Sequence, residues 1–249
     1  MTRVPLFVAE IGLNHLGSET RARKLTNALL DTSVDAITFQ IREDSFYQPA
    51  EISRHRLSEG FYQDTVRIVH QHGKSFGLAT CDPTVIPFFA ATDVDFWKTL
   101  SWDFTNSSLM DALLATGKNI FMSTGLSGMG EIVTVSRKYR ERVVLIHTSL
   151  SVEIEEVNLK AIDSVRRQTG LPVAFGLHCD NHEVLKLALS FDPEGIFFYV
   201  KDRGTPGLFD DGHAVFADRV GTMVDDLKLL HSSLGTGVKS AMRKPGWVK

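Results

Sequence analysis

The sequence predicts an α/β protein, a single-domain (β/α)8 barrel over residues 1–249. Three observations lead there: eight short apolar runs, amphipathic stretches between them, and a length of 249 residues, close to the roughly 250 usual for that architecture. Near-continuous apolar runs are what strands buried on both faces require. An open doubly wound sheet is the rival, because counting strands does not demonstrate closure.

Taken in order, the first run is Leu6-Phe7-Val8-Ala9. Ser18 follows as a candidate helix N-cap with acidic Glu19 behind it, and Leu25, Ala28 and Leu29 share one helical face. Ala36-Ile37-Thr38-Phe39 is the second run; Val66, Val69 and His70 then share a face before a Gly73 stop. Ser75-Phe76-Gly77-Leu78-Ala79 and Phe96-Trp97-Lys98-Thr99-Leu100 are the third and fourth, with Leu109, Ala112, Leu113 and Gly117 repeating the helical pattern. Ile120-Phe121-Met122 and residues 143–146, 173–177 and 196–200 complete the eight. Phe216, Val220, Met223, Val224, Leu227 and Leu230 form the longest stripe, closed by Gly235. No linker, repeat or composition shift divides the chain, and residues 243–247 read as its end.

Twenty-seven Lys and Arg against 30 Asp and Glu give a formal charge of −3. That near-balance argues against a nonspecific nucleic-acid partner. No apolar run reaches the roughly 18 residues of a membrane helix, and no signal-peptide anatomy opens the chain. Two cysteines, Cys81 and Cys179, make no disulfide framework, so the expected setting is cytoplasmic.

In a barrel of this kind the active site forms at the C-terminal strand ends, and polar residues gather there. They are Glu10 with Asn14 and His15, Gln40 with Arg42, Thr80, then Lys98 with Ser101 and Asp103. Ser123, His147, His178 with Asp180, and Lys201 with Arg203 follow. Lys98 is the sharpest signal, because burying an ammonium inside an apolar strand is costly unless an anion or a hydrogen-bonding shell receives it. Lys98, Arg42, Lys201 and Arg203 at one mouth suit a substrate carrying phosphate or carboxylate.

At these residues the sequence resembles the N-acetylneuraminate (sialic acid) synthase family. The stretch from Val8 to Gly17, V-A-E-I-G-L-N-H-L-G, is similar to the family's A-E-I-G-x-N-H-x-G signature. Lys98-Thr99-Leu100-Ser101-Trp102-Asp103 sits where the family has K-I-G-S-G-E, and Ser123-Thr124-Gly125 matches its S-T-G. Leu145-Ile146-His147-Thr148-Ser149, Val157-Asn158-Leu159-Lys160-Ala161-Ile162, Asp211-Gly212-His213-Ala214-Val215 and Leu234-Gly235-Thr236-Gly237-Val238-Lys239 extend the resemblance in order.

The resemblance implies condensation of phosphoenolpyruvate with an N-acylated amino sugar, or a related aldose, to a nonulosonic-type acid with release of phosphate. Lys98, Ser101, Thr80 and Ser123 would hold the phosphate and carboxylate. Glu10 and Asp103 would be the carboxylates at the reacting carbons. Asn14, His15, Gln40 and His147 would line the site, and Asp211 and His213 would face the sugar. The family's divalent ion, manganese or magnesium, activates the aldehyde, yet its ligands are not matched: Lys201 stands at one histidine position and Gly176-Leu177-His178-Cys179-Asp180-Asn181 replaces G-x-S-D-H-T. Three readings stay open: the Lys201 ammonium takes the metal's place, His178 and Asp180 with His182 rebuild a site, or these groups only hydrogen-bond in a remodelled mouth. Thr38 replaces a phosphate-binding lysine, and the family's C-terminal antifreeze-like domain has no counterpart. A homodimer is expected from the family. Two other functions remain: a keto-acid aldolase or lyase with Lys98 or Lys201 as Schiff-base amine, and a non-catalytic sugar-acid binder.

Overall fold

Each of the eight apolar runs lies on a strand of the computed structural model, which describes residues 3–239; the tail at 243–247 lies outside them. The first half runs β1 (Leu6–Gly12), α1 (Glu19–Leu30), β2 (Ala36–Ile41), α2 (Glu59–Gln71), β3 (Ser75–Thr80), α3 (Ile86–Ala91), β4 (Phe96–Thr99) and α4 (Ser107–Ala115). The second runs β5 (Asn119–Ser123), α5 (Met129–Lys138), β6 (Val143–Thr148), α6 (Ala161–Thr169), β7 (Val173–Gly176), α7 (Val184–Ala188), β8 (Gly195–Lys201), a short β9 (Val215–Phe216) and α8 (Ala217–Ser232). Side-chain caps set several helix starts: the Ser18 hydroxyl accepts from the Arg21 N–H at 3.2 Å, as its N-cap position predicts.

Strands β1 to β8 pair in sequence order, all parallel, and β8 pairs back onto β1. The sheet is closed, so the open doubly wound alternative is excluded. Closure divides every strand into inward and outward residues. Val8, Ala36, Phe96, Phe121, Ile146, Ala174 and Phe197 pack together as an apolar plug inside the barrel. The larger core lies outside, between barrel and helices, and takes residues such as Phe39, Trp97, Leu145, Phe175 and Phe198. Gly77 makes the plug fit: a Cβ there would lie 2.3 Å from the Phe96 ring.

Two residues above the plug on each strand, the same inward face carries Glu10, Thr38, Lys98, Ser123 and Tyr199. Polar chemistry therefore begins where apolar filling stops. At the end of β1 the ladder slips between Glu10 and Gly12, and Gly12 adopts φ +56°, a left-handed bulge that glycine tolerates. Among the described residues, no helix is long and apolar enough to cross a membrane.

Candidate active site

A cavity of about 240 Å³ opens at the C-terminal end of the barrel. Its polar lining is Gln40, Arg42, Lys98, Ser101, Ser123, His178 and Asp210, and Trp102, Phe46, Phe209 and Leu150 stand among its apolar residues.

Lys98 forms the floor. It is 5% exposed and pairs through Nζ with Glu10 Oε1 at 2.5 Å, above the rings of Tyr199 and Phe197. The pairing meets the requirement that a buried ammonium find an anion. It also brings together residues 88 positions apart. Ser101 lines the wall beside it, its hydroxyl accepting from the Gly125 N–H at 3.2 Å.

Arg42 forms a second cationic wall. Its guanidinium lies over Phe46 at 4.5 Å and near Trp102 at 5.7 Å, and it grips both oxygens of Glu43 at 3.0 and 3.1 Å. Burial pushes the Glu43 carboxyl up, but the Arg42 and Cys81 hydrogen bonds outweigh it and bring the pKa down to about 2.

Around Tyr199 two imidazoles meet at a tilt: His178 and His213 lie 4.6 Å apart between ring centres, and each packs on the tyrosine. Burial, then the neighbouring His213 and Lys98, lower His178 to about 3. Burial, then His182, Lys201 and Lys98, lower His213 to about 4. Both are neutral at pH 7. Asp210 moves the other way: burial first, then the charge of Glu10, raise it to about 7 against the opposing pull of Lys98.

Glu10, Gln40, Lys98, Ser101, Ser123 and His178 therefore converge as the sequence reading expects. Several others do not. His147 follows the inward Ile146 and so faces the helices, where Nε2 bonds the Val157 carbonyl at 3.0 Å. Thr80 lies on the outward face with Leu78, and its hydroxyl accepts from the Asp82 N–H at 3.0 Å. His15 is wholly buried beside Phe39, with Nδ1 taken by the Gly17 N–H. Asp103 bonds Asn106 at 3.3 Å and does not line the cavity.

Lys201 turns away from the cavity. It is bound to the carboxylate of Asp211 at 2.8 Å and to that residue's carbonyl, with Phe216 beneath it, and Arg203 pairs with Asp218. A cation already neutralised outside the cavity does not stand in for a metal. The rebuilt-site reading fails too: Asp180 is exposed, His182 bonds the His213 carbonyl at 3.1 Å, and among the described residues no three His, Cys, Asp or Glu are placed to hold a metal ion. The donor set does not fit the divalent ion that the resemblance implies.

Asp211, expected to face the sugar, belongs to the Lys201 pair, and His213 sits behind the cavity wall. The residues of that loop that line the cavity are Phe209 and Asp210. Asn14 sets Asp210 there: the amide nitrogen donates to the Val200 carbonyl at 2.9 Å, and the amide oxygen accepts from the Asp210 N–H at 3.2 Å. Asn14 is a positioning residue. Tyr199, Asp210 and Trp102 are not singled out in the sequence reading. Tyr199 carries a signal there, standing two residues beyond inward Phe197; the other two lie in loops with no period to read.

The NeuB family model matches residues 23–239. The chain belongs to the NeuB family. An uncharacterized protein of Methanocaldococcus jannaschii is 28% identical over 255 residues, covering 96% of this chain and 74% of that relative. The N,N'-diacetyllegionaminic acid synthase of Campylobacter jejuni is 22% identical, covering 96% of this chain and 80% of its own length. Among solved structures, the N-acetylneuraminic acid synthetase of Leptospira borgpetersenii superposes with a TM-score of 0.87 at 21% identity, covering 96% of this chain and 88% of that one. A truncated 3-deoxy-D-arabino-heptulosonate 7-phosphate synthase of Thermotoga maritima follows at 0.72 and 12%, covering 94% and 89%. The NeuB chain thus shares its barrel with these synthases, and the cavity lies at the end where barrel enzymes keep their sites.

Proposed function

We propose that this NeuB-family chain is an enzyme that joins phosphoenolpyruvate to the aldehyde carbon of an N-acylated amino sugar or related aldose, giving a nonulosonic-type acid and phosphate. The observation that carries the reading is Lys98, a buried cation held by Glu10 on the floor of the cavity. Lys98 would face the donor's anionic groups, with the Ser101 and Ser123 hydroxyls beside it. Arg42 supplies the second positive edge.

In the reaction, C3 of the enol attacks the aldehyde carbon, water adds at C2, and the C2 intermediate collapses to a keto group as phosphate leaves. Each step changes charge at an oxygen, and preorganised donors in an enclosed cavity stabilise such changes more effectively than water does. Lys98 and Arg42 are already paired with Glu10 and Glu43, so the site holds little surplus positive charge. A trianionic donor would therefore rely on the hydroxyls as well as the cations.

The test is phosphate release from phosphoenolpyruvate with a panel of N-acyl hexosamines, with and without manganese, followed by mass analysis of the product. Release that needs both substrates, with an acid whose mass is that of the acceptor plus pyruvic acid, supports the proposal; no release with any acceptor overturns it. The same Lys98 favours one other reading, a keto-acid aldolase working through a Schiff base. Borohydride trapping of pyruvate on Lys98 would select that alternative.

A further inference from the structure

We propose that Asp210 is the acid that protonates the aldehyde oxygen of the acceptor, and that this chain performs the activation step without a divalent cation. The inference rests on the synthase reading above. The carbonyl must be polarised, and among the described residues no three His, Cys, Asp or Glu side chains at the cavity are placed to hold a metal ion.

Asp210 has the placement an acid needs. Its carboxyl lines the cavity and makes no hydrogen bond within 3.5 Å among the described residues. Its nearest ring nitrogen is Nε2 of the neutral His213 at 3.6 Å, itself buried and without a hydrogen-bond partner. The carboxyl is thus open toward a ligand rather than committed to the fold.

The backbone beneath it is fixed. Besides the Asn14 bond to its N–H, the Asp210 carbonyl accepts from Ala214 at 2.9 Å and His213 at 3.3 Å. Gly12 leaves the room: a Cβ there would lie 2.7 Å from the Tyr199 ring and 3.5 Å from Asp210 Oδ2. The charged and titratable groups facing Asp210 are Glu10 from β1, Lys98 from β4, His178 after β7, Tyr199 from β8, and His213 on its own loop. Glu10 and burial both favour the protonated carboxyl, the form that donates.

The protons balance. The enol π pair forms the new C–C bond, the carbonyl π pair moves onto oxygen, and the Asp210 O–H bond breaks to supply that oxygen's proton. Water adding at C2 releases one proton, which restores Asp210, and its second proton leaves with phosphate. No oxidant, reductant or metal enters the balance.

The full-length protein and its Asp210→Asn and Asp210→Ser variants are assayed for phosphate release, with chelator present throughout and with manganese added back. The wild type should keep its rate in chelator. Each variant should lose about 100-fold or more in kcat, the scale of a positioned acid, with KM for phosphoenolpyruvate within about threefold. Asp210→Glu should restore part of kcat, which a merely structural role would not predict; two neutral replacements guard against one failing to fold. A variant kcat near wild type, a loss confined to KM, or a wild-type rate that returns only with manganese overturns the acid role while leaving the synthase reading intact. A wild type that releases no phosphate with any acceptor overturns both.

Discussion

The two ends of the barrel use the same kinds of side chain for opposite purposes. At the N-terminal end, Asp35 accepts from the Phe7 N–H at 2.8 Å and pairs with Lys228 at 3.0 Å. Asp95 accepts from the Phe76 N–H at 2.7 Å and from His70 at 2.8 Å, and Lys74 caps the Val34 carbonyl at 2.9 Å. Those charges close backbone hydrogen bonds that strand ends leave open. At the C-terminal end, Lys98, Arg42, Asp210 and His178 line a cavity. One end is closed by these pairings; at the other, Lys98 and Arg42 are paired with Glu10 and Glu43, while the Asp210 carboxyl is left open toward a ligand. Buried polar groups held short of full satisfaction are costly, and proteins keep such cost where function needs it.

The sharpest way to break this contrast is at Lys98. Lys98→Met should remove phosphate release by about 10³-fold, as loss of a preorganised charge does, and cost about 3–5 kcal/mol by stranding Glu10. The double variant Glu10→Gln/Lys98→Met should recover most of the stability and none of the activity. Urea unfolding beside the phosphate assay separates the two effects, and recovery of activity would end Lys98's assignment as donor-binding cation.

The opposite pattern is expected below. Phe96→Ala opens the plug and should cost about 3–5 kcal/mol while the folded fraction turns over at a near-normal rate, measured after correction for unfolded protein. A large fall in kcat there would mean that the two ends are not separable.

Acid should weaken the upper end first. His15, His178 and His213 hold folded pKa values of about 3, 3 and 4 against 6.5 unfolded, so the unfolded chain takes up protons the folded chain refuses. Their contribution is complete above about pH 6.5 and is lost as pH falls toward those values. Asp210 opposes them, since its folded pKa of about 7 lies above 3.8 and its contribution is lost as pH rises through that window. Thermal melts at pH 5 and 7.5 should show a net loss at pH 5, and Asp210→Asn should steepen it. Lys201→Met closes the series with the smallest effect, under about threefold in kcat, because its charge is spent on Asp211; a large loss would return Lys201 to the chemistry.

The strands were legible because burial on both faces forces continuous apolar runs; closure was not, since it rests on β8 pairing back onto β1. Side-chain direction was legible in principle. Phe96 is inward, so Lys98 is inward; Ile146 is inward, so His147 is not. Strand-end position alone hides that alternation, and His147 and Thr80 show the consequence. Trp102 and Asp210 lie in the turn at 101–103 after β4 and in the loop between 202 and 214, and the course of that loop is set by distant partners such as Asn14 rather than by local period. Residues matched by family motif were the least portable: Asp103, Asp211 and Lys201 occupy motif positions, yet other contacts claim them.

Asn14 joins the turn after the opening strand to the carbonyl of Val200 and the amide of Asp210, 186 and 196 residues away. That stitch crosses the seam where the last barrel strand meets the first. A growing chain carries Lys98, Gln40, Ser101 and Ser123 long before this seam exists, so the catalytic mouth is among the last features to assemble. A ribosome-bound intermediate lacking residues beyond 195 would hold Lys98, Ser101 and Ser123 but not Tyr199, Phe209 and Asp210, which complete the pocket.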